Sequence, residues 1–314
     1  MRGPCNATAS DNAMTGSAGA AVAHPRAPLD PAASPARAVL ASRVIARIAT
    51  RALWDELALY PKPGLVSLHD TGAHADMDAS TFVRSLFALR KHFRAIAAAG
   101  ASAAPFDELR ILGQRAEAAM LRATGGVNTH RGALFILGLL GAAAALLGVR
   151  GRTPTDEHLR SALRATWCAA LREPVPSGEP PSHGMEVAKR YGALGARGEA
   201  ADAFPSVFEV ALPALRDARR RGVDARRTRI AAFFALLERV EDTNVLYRAG
   251  SAGLEYVGAS ARRFHAAGGC DTADAFVRAA AIHRDFVVRG LSPGGCADLL
   301  AAALFVDALQ AASR

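Results

Sequence analysis

The run A-L-F-I-L-G-L-L-G-A-A-A-A-L-L-G-V, Ala133–Val149, decides the fold. It carries no charged or polar side chain across 17 residues. That is about the bare minimum for a membrane span, which takes roughly 20 apolar residues, and it is rich in Gly and Ala with few large side chains. A helix that is apolar all round is instead expected at the centre of a helical protein. Its neighbours must then be amphipathic helices. Helical spacing does recur along the chain, and no strand-like alternation is sustained. The pattern predicts helices over about 36–59, 81–99, 106–123, 133–147, 156–172, 203–221, 224–240, 244–267, 272–289 and 295–312.

The punctuation agrees. Tyr60-Pro61-Lys62-Pro63-Gly64 forbids a continuing helix, and a loop is expected from Leu65 to about Asp78. Asp78-Ala79-Ser80-Thr81 offers caps for the next helix. Thr124-Gly125-Gly126 stops the third, and Thr129 is expected to cap the central one. Ser292 before Pro293 reads as an N-cap with Pro at the first helical position. The fold class is all-α, a single compact multi-helix domain over residues 36–314. It is preceded by a disordered tail, residues 1–35, rich in Ala, Gly, Ser, Asn and Pro. The Pro-rich stretch Glu173–Ser182 is expected as a surface loop, with Ser182-His183-Gly184-Met185-Glu186 as a lid at its end. There is no internal repeat.

Composition narrows the function. Hydrophobic residues are 51% and charged residues 21%, and the net charge is +9. Lysine occurs only at Lys62, Lys91 and Lys189, so nearly all the positive charge is arginine. Arginine suits bidentate phosphate recognition, and a basic surface favours polyanionic ligands. A nucleic-acid module would need arginines on one face with stacking aromatics, which four scattered Tyr and two Trp do not supply. No nucleic-acid or membrane partner is therefore expected. Cys5, Cys168, Cys270 and Cys296 form no CxxC pair, and the tail lacks the apolar run of a secretory signal. Reduced thiols and a cytoplasmic location are expected.

Four segments carry chemistry-bearing residues. In Glu56–Asp78, Lys62 lies between two prolines on a stiff loop, which suits a fixed phosphate contact. His69, Asp70, His74, Asp76 and Asp78 follow within ten residues. Such carboxylates could hold magnesium with phosphate oxygens completing the shell, or serve as turn and cap residues. In Ala123–Gly132, Gly125 and Gly126 precede Asn128, Thr129, His130 and Arg131 at a helix start. Backbone N–H groups there are a ready anion site, although the Gly-Lys-Ser/Thr ending of a Walker A loop is absent. In Leu291–Asp298, Ser292, Gly294 and Gly295 allow close backbone approach, and Cys296 reads as a small buried residue. In Glu241–Arg248, Asp242 and Asn244 could ligate metal or ribose, and Arg248 could reach phosphate, or the segment could be plain helix capping.

The strings P-K-P-G-L-V-S, G-A-H-A-D-M-D, T-G-G-V-N-T-H-R-G and L-S-P-G-G-C-A-D-L-L, in this order, resemble the triphosphoribosyl-dephospho-coenzyme A synthases over roughly residues 45–310. Cys296 departs from the other small residue usual there. The resemblance implies a pentosyltransferase reaction in which ATP and 3′-dephospho-CoA give 2′-(5″-triphosphoribosyl)-3′-dephospho-CoA and adenine. The product would pass to a phosphoribosyl-dephospho-CoA transferase and then to an acyl-carrier subunit. The family serves malonate decarboxylase or citrate lyase, and the Y-P-K-P-G-L-V-S and N-T-H-R-G wording looks more like the malonate decarboxylase branch.

Such a reaction needs a carboxylate to accept the hydroxyl proton, help for the departing adenine, and cations and N–H dipoles for the triphosphate. Glu56 is the leading base candidate and Glu117 the second. His74 or His130 is expected to assist the leaving group. Lys62, Gly64, Gly125, Gly126, Asn128, Thr129, Arg131, Arg248, Ser292, Gly294 and Gly295 are expected to bind substrate. Asp70, Asp76, Asp78 and Asp242 are the magnesium candidates. A rival reading is a helical His-Asp metal phosphohydrolase, since His69-Asp70 supplies the key dipeptide; those enzymes carry it on a helix, whereas here it follows a loop-forming Pro-Lys-Pro-Gly.

Overall fold

The computed structural model describes residues 35–174, 187, 190–193 and 195–313. The tail expected over residues 1–35 (Pro35 apart), most of the Pro-rich loop and the lid segment Ser182–Glu186 lie outside the described residues. Within them are twelve α-helices and no strand.

The apolar run is the middle of α4 (Arg131–Val149), where every residue from Ala133 to Leu147 except Phe135 is buried. Around it pack α1 (Pro35–Leu57), α2 (Ala79–Ala101), α3 (Phe106–Thr124) and α5 (Asp156–Thr166). Small residues let these helices approach closely. A methyl group on Gly100 of α2 would lie 2.3 Å from the Ala142 Cα of α4. Two short helices follow, α6 (Cys168–Arg172) and α7 (Gly195–Ala201), then a π-helical turn (Ser206–Ala211) running into α8 (Leu212–Arg220). The chain closes with α9 (Ala225–Arg239), α10 (Thr243–Ala266), α11 (Ala275–Val288) and α12 (Gly294–Ala311). Helix α12 joins the halves, packing on α1 and α4 on one side and on α9, α10 and the π turn on the other. Helices α4 and α12 are long and apolar enough to cross a membrane, yet 78% and 61% of their most apolar stretches are buried against protein. Both form the core.

The departures from expectation have local causes. The helix expected over 156–172 breaks at Trp167 (φ −128°), whose buried indole N–H donates to Ala104 O at 2.9 Å. The helix expected from 203 begins instead with the π turn, entered through Ala203 and Phe204 at φ +57° and +56°. Both residues are fully buried, so packing offsets that backbone strain. Helix α10 is interrupted at Gly250 (φ +64°, ψ −165°). Helix α4 starts two residues early, with His130 in the cap position and no side-chain cap; the Thr129 hydroxyl is buried without a partner among the described residues instead of capping. Asp78 does cap α2, in a reciprocal box with Thr81.

Candidate active site

The Pro-Lys-Pro-Gly loop turns its lysine inward. Lys62 is 1% exposed, and its ammonium donates to the Glu56 carboxylate and to Glu56 O, the latter at 2.9 Å. Glu56 is buried in the last turn of α1. Burial raises its carboxyl above the ordinary range, and Lys62 pulls the other way. Lys62, expected as a phosphate contact, is thus buried with two of its three N–H donors engaged by Glu56. The loop backbone is held from three directions. Gly64, at φ +73°, lies so close to Leu291 O that a β-carbon would meet it at 2.0 Å. His283 of α11 bonds Lys62 O through Nδ1 (2.9 Å) and Asp70 Oδ2 through Nε2 (3.1 Å). Arg226 of α9 donates to Tyr60 O at 2.6 Å, with its guanidinium 4.2 Å above the Phe276 ring.

Three helix N-termini meet beside this pair, and carboxylates from elsewhere in the chain satisfy two of them. Asp242 caps α10 with Oδ1, accepting from Asn244 N (2.9 Å) and Val245 N (3.2 Å). Its Oδ2 accepts from Cys296 N of α12 at 2.7 Å. Asp298 of α12 accepts from the backbone N–H of Ala133 in the first turn of α4. Glycine makes this approach possible: a β-carbon on Gly132 would stand 2.1 Å from Asp298 Oδ2, and one on Gly295 3.0 Å from Asp242 Oδ2. Burial raises Asp242, and burial with the neighbouring Glu56 and Asp242 raises Asp298 well above the carboxylate range.

Two histidines border the cluster. His74 contacts Ser292 Oγ through Nε2 (2.7 Å) and the Arg248 guanidinium through Nδ1 (3.2 Å). The same Nδ1 faces the Asp76 carboxylate at 3.5 Å, so a guanidinium that only donates and a carboxylate that only accepts compete for it. Burial and Arg248 lower its pKa, and Asp76 pulls the other way. The Ser292 hydroxyl is thus engaged by His74, and Pro293, not Ser292, occupies the cap position of α12. Buried His130 bonds Ser85 Oγ through Nδ1 (2.7 Å), while its Nε2 has no partner among the described residues. Burial, with Lys62 nearby, pushes its pKa down to about 3. On the outer side Arg131 pairs with Glu117, and Arg131 N donates to Asn128 Oδ1 at 3.1 Å. Gly125, Gly126, Asn128 and Arg131 are exposed there.

The structure brings together Glu56, Lys62, Gly64, His130, Ser292, Gly294, Gly295 and Asp242, and joins Arg248 to His74. It does not gather the four aspartates. Asp78 and Asp242 are spent as helix caps, Asp70 is held by Gly72 N and His283, and Asp76, 62% exposed, faces His74. Among the described residues no three His, Cys, Asp or Glu side chains form a metal-holding group. The donor set does not fit a resident magnesium, nor the His-Asp phosphohydrolase, whose dipeptide His69-Asp70 stands here in a loop. Glu117, the second base candidate, pairs with Arg131. Sequence reading missed Asp298 and His283. Asp298 lay inside a string read as capping, and its partners come from α1, α4 and α10, which spacing does not reveal. His283 is a single histidine within an otherwise ordinary amphipathic helix.

Comparison with known proteins places these segments in context. Residues 42–314 match the family model described as CitG: ATP:dephospho-CoA triphosphoribosyl transferase. The chain is 41% identical to the probable 2-(5″-triphosphoribosyl)-3′-dephosphocoenzyme-A synthase of Stutzerimonas stutzeri strain A1501, over 87% of this chain and 94% of that protein. It is 42% identical to the protein of the same description from Azotobacter vinelandii strain DJ, with 87% and 94% covered. It is 40% identical to the 2-(5″-triphosphoribosyl)-3′-dephosphocoenzyme-A synthase of Klebsiella pneumoniae, over 84% and 93%. No solved structure matches.

Proposed function

The chain belongs to the ATP:dephospho-CoA triphosphoribosyl transferase family, and on that premise we propose that it transfers the 5-triphosphoribosyl group of ATP to the 2′-hydroxyl of 3′-dephospho-CoA, releasing adenine. The observation that supports placing the chemistry is the buried Lys62–Glu56 pair, where the loop after α1 and the starts of α4, α10 and α12 converge. In this reading Glu56 accepts the hydroxyl proton, and Lys62 orients its carboxylate. His130 Nε2, buried and without a partner among the described residues, supplies a hydrogen bond to substrate. The exposed Gly125–Gly126 turn, Asn128, Arg131 and Arg248 hold the triphosphate, which survives intact as a handle. Magnesium enters as the ion carried by the triphosphate.

The product's route to an acyl-carrier subunit of malonate decarboxylase, through a phosphoribosyl-dephospho-CoA transferase in the cytoplasm, is part of the proposal. The wording of the Tyr60–Ser67 and Asn128–Gly132 strings favours that branch over citrate lyase.

The test is incubation with ATP, magnesium and dephospho-CoA, followed by mass spectrometry for adenine and the triphosphoribosylated coenzyme. A folded protein that releases phosphate and no adenine would sink the assignment. Glu56→Gln is expected to bind ATP with an affinity within a few-fold of the wild type and to lose adenine release by about 10²–10⁴-fold. Near-normal turnover by that variant would remove Glu56 from the chemistry.

A further inference from the structure

Breaking the C1′–N9 bond leaves an electron pair on adenine, and a proton delivered to a ring nitrogen makes that departure far easier. Neither histidine near the site is built to deliver one. His74 Nδ1 is shared between the Arg248 guanidinium at 3.2 Å and the Asp76 carboxylate at 3.5 Å, and burial with Arg248 disfavours its imidazolium. His130 is 3% exposed, near the Lys62 ammonium, and among the described residues its ring bonds Ser85 alone, with no carboxylate beside it to balance an imidazolium. The proton must come from another group.

Three carboxyl groups share the site, and their geometry separates them. Glu56 is engaged by Lys62. Asp242 is fully buried, with both oxygens taken by backbone N–H groups of two helices. Asp298 is the one of the three whose residue retains some exposure, although its carboxyl is desolvated, and it accepts one backbone N–H, that of Ala133. Its Oδ2 packs against Gly132 at the start of α4, so closely that a β-carbon there would stand 2.1 Å away. Glu56 and Asp242 stand close enough to repel a negative charge there, and Lys62 is committed to Glu56. This is how neighbouring carboxyl groups divide into a base and an acid.

We propose that Asp298 is the general acid of the transfer, donating its carboxyl proton to adenine as the base departs. The proposal rests on the reaction assigned above. The O2′ of dephospho-CoA bonds to C1′ of the ATP ribose while the C1′–N9 pair moves onto adenine. The hydroxyl proton goes to the Glu56 carboxylate, and the Asp298 proton goes to a ring nitrogen of adenine. The enzyme is left with Glu56 protonated and Asp298 ionised, and return of one proton from Glu56 to Asp298 restores it. No other reactant is needed.

The experiment compares wild type and Asp298→Asn on two donors across pH, with dephospho-CoA as acceptor. Asparagine keeps an oxygen for Ala133 N–H, and unfolding curves and ATP binding verify the fold. With ATP, Asp298→Asn is expected to lose about 10²–10⁴-fold in kcat with KM within a few-fold, and to lose the alkaline limb of the wild-type pH profile. The second donor is nicotinamide riboside 5′-triphosphate, whose pyridine leaves neutral without a proton. On it the variant should stay within threefold of the wild type, and the wild type itself should lack the alkaline limb. Equal losses on both donors, or a kcat on ATP within threefold of the wild type, would overturn the proposal. If the variant does not fold, the two wild-type profiles decide, and if the wild type rejects the nicotinamide donor, the variant's profile on ATP decides. A wild type that releases no adenine from ATP would instead count against the assigned reaction, not against Asp298.

Discussion

A lysine ammonium at 1% exposure survives in a protein interior only beside a carboxylate, and Lys62 has Glu56. The two prolines that seemed to stiffen a surface phosphate contact instead fix the one backbone course that aims Lys62 at the end of α1. His130 shows the other electrostatic solution, remaining neutral. Its pKa in the folded chain is pushed from 6.5 to about 3. Between those values the unfolded chain binds a proton that the folded chain does not, so stability rises with pH there. Its contribution is complete above about pH 6.5 and is lost as pH falls toward 3, at up to about 1.4 kcal/mol per pH unit. The buried carboxyl groups Glu56, Asp242 and Asp298 are shifted upward and act in the opposite sense. A comparison with His130→Asn cancels them. Urea unfolding of the two proteins at pH 6.5 and pH 4.5 should show a shallower fall with acid in the variant. Parallel curves would mean that His130 titrates normally.

At the scale of elements, the site is a set of helix starts tied to one another by carboxylates. Asp242 serves three N–H groups, two on α10 and one on α12. Asp242→Ala leaves all three buried donors without their acceptor. A lost cap costs roughly 1 kcal/mol, and two helices are affected, so a loss of about 2–4 kcal/mol is expected in metal-free buffer. A magnesium ligand at this position would behave differently: removing it would raise the magnesium requirement of turnover and leave stability in chelator unchanged. Most elements were legible in the chain, because the apolar period of Ala133–Val149 and the Pro and Gly breaks are local signals. Asp78 as a cap of α2 was legible for the same reason. The Trp167 break, the π turn after Phe204 and the Gly250 interruption were not. The Trp167 break follows from a hydrogen bond to Ala104, 63 residues away, and the π turn from buried packing. Likewise Asp298 read as one more helical residue until α4 and α1 were beside it.

The whole molecule binds its substrates, on the proposed reading, with segments that pack on both sides of α12. Loop 58–78 and the start of α4 belong to one half, and α10 and α11 to the other. The core helix α12 contacts both. Its buried stretch lies directly behind Ser292, Gly294 and Gly295, so the site cannot be loosened without disturbing the core. Ligand binding should therefore be felt by the entire fold. ATP at about a hundred times its Kd stabilises the state that binds it by about 2.7 kcal/mol. For a domain of this size each kcal/mol raises Tm by about 2–4 °C, so a shift of roughly 5–10 °C is expected. The expected calorimetric trace is a single transition that moves as a unit when ATP and magnesium are added. Two resolved transitions, with ATP shifting one and not the other, would show that the halves unfold separately and that the triphosphate is held by only one of them. The phosphate-binding role would then be confined to whichever of Arg131 or Arg248 lies in the half that shifts.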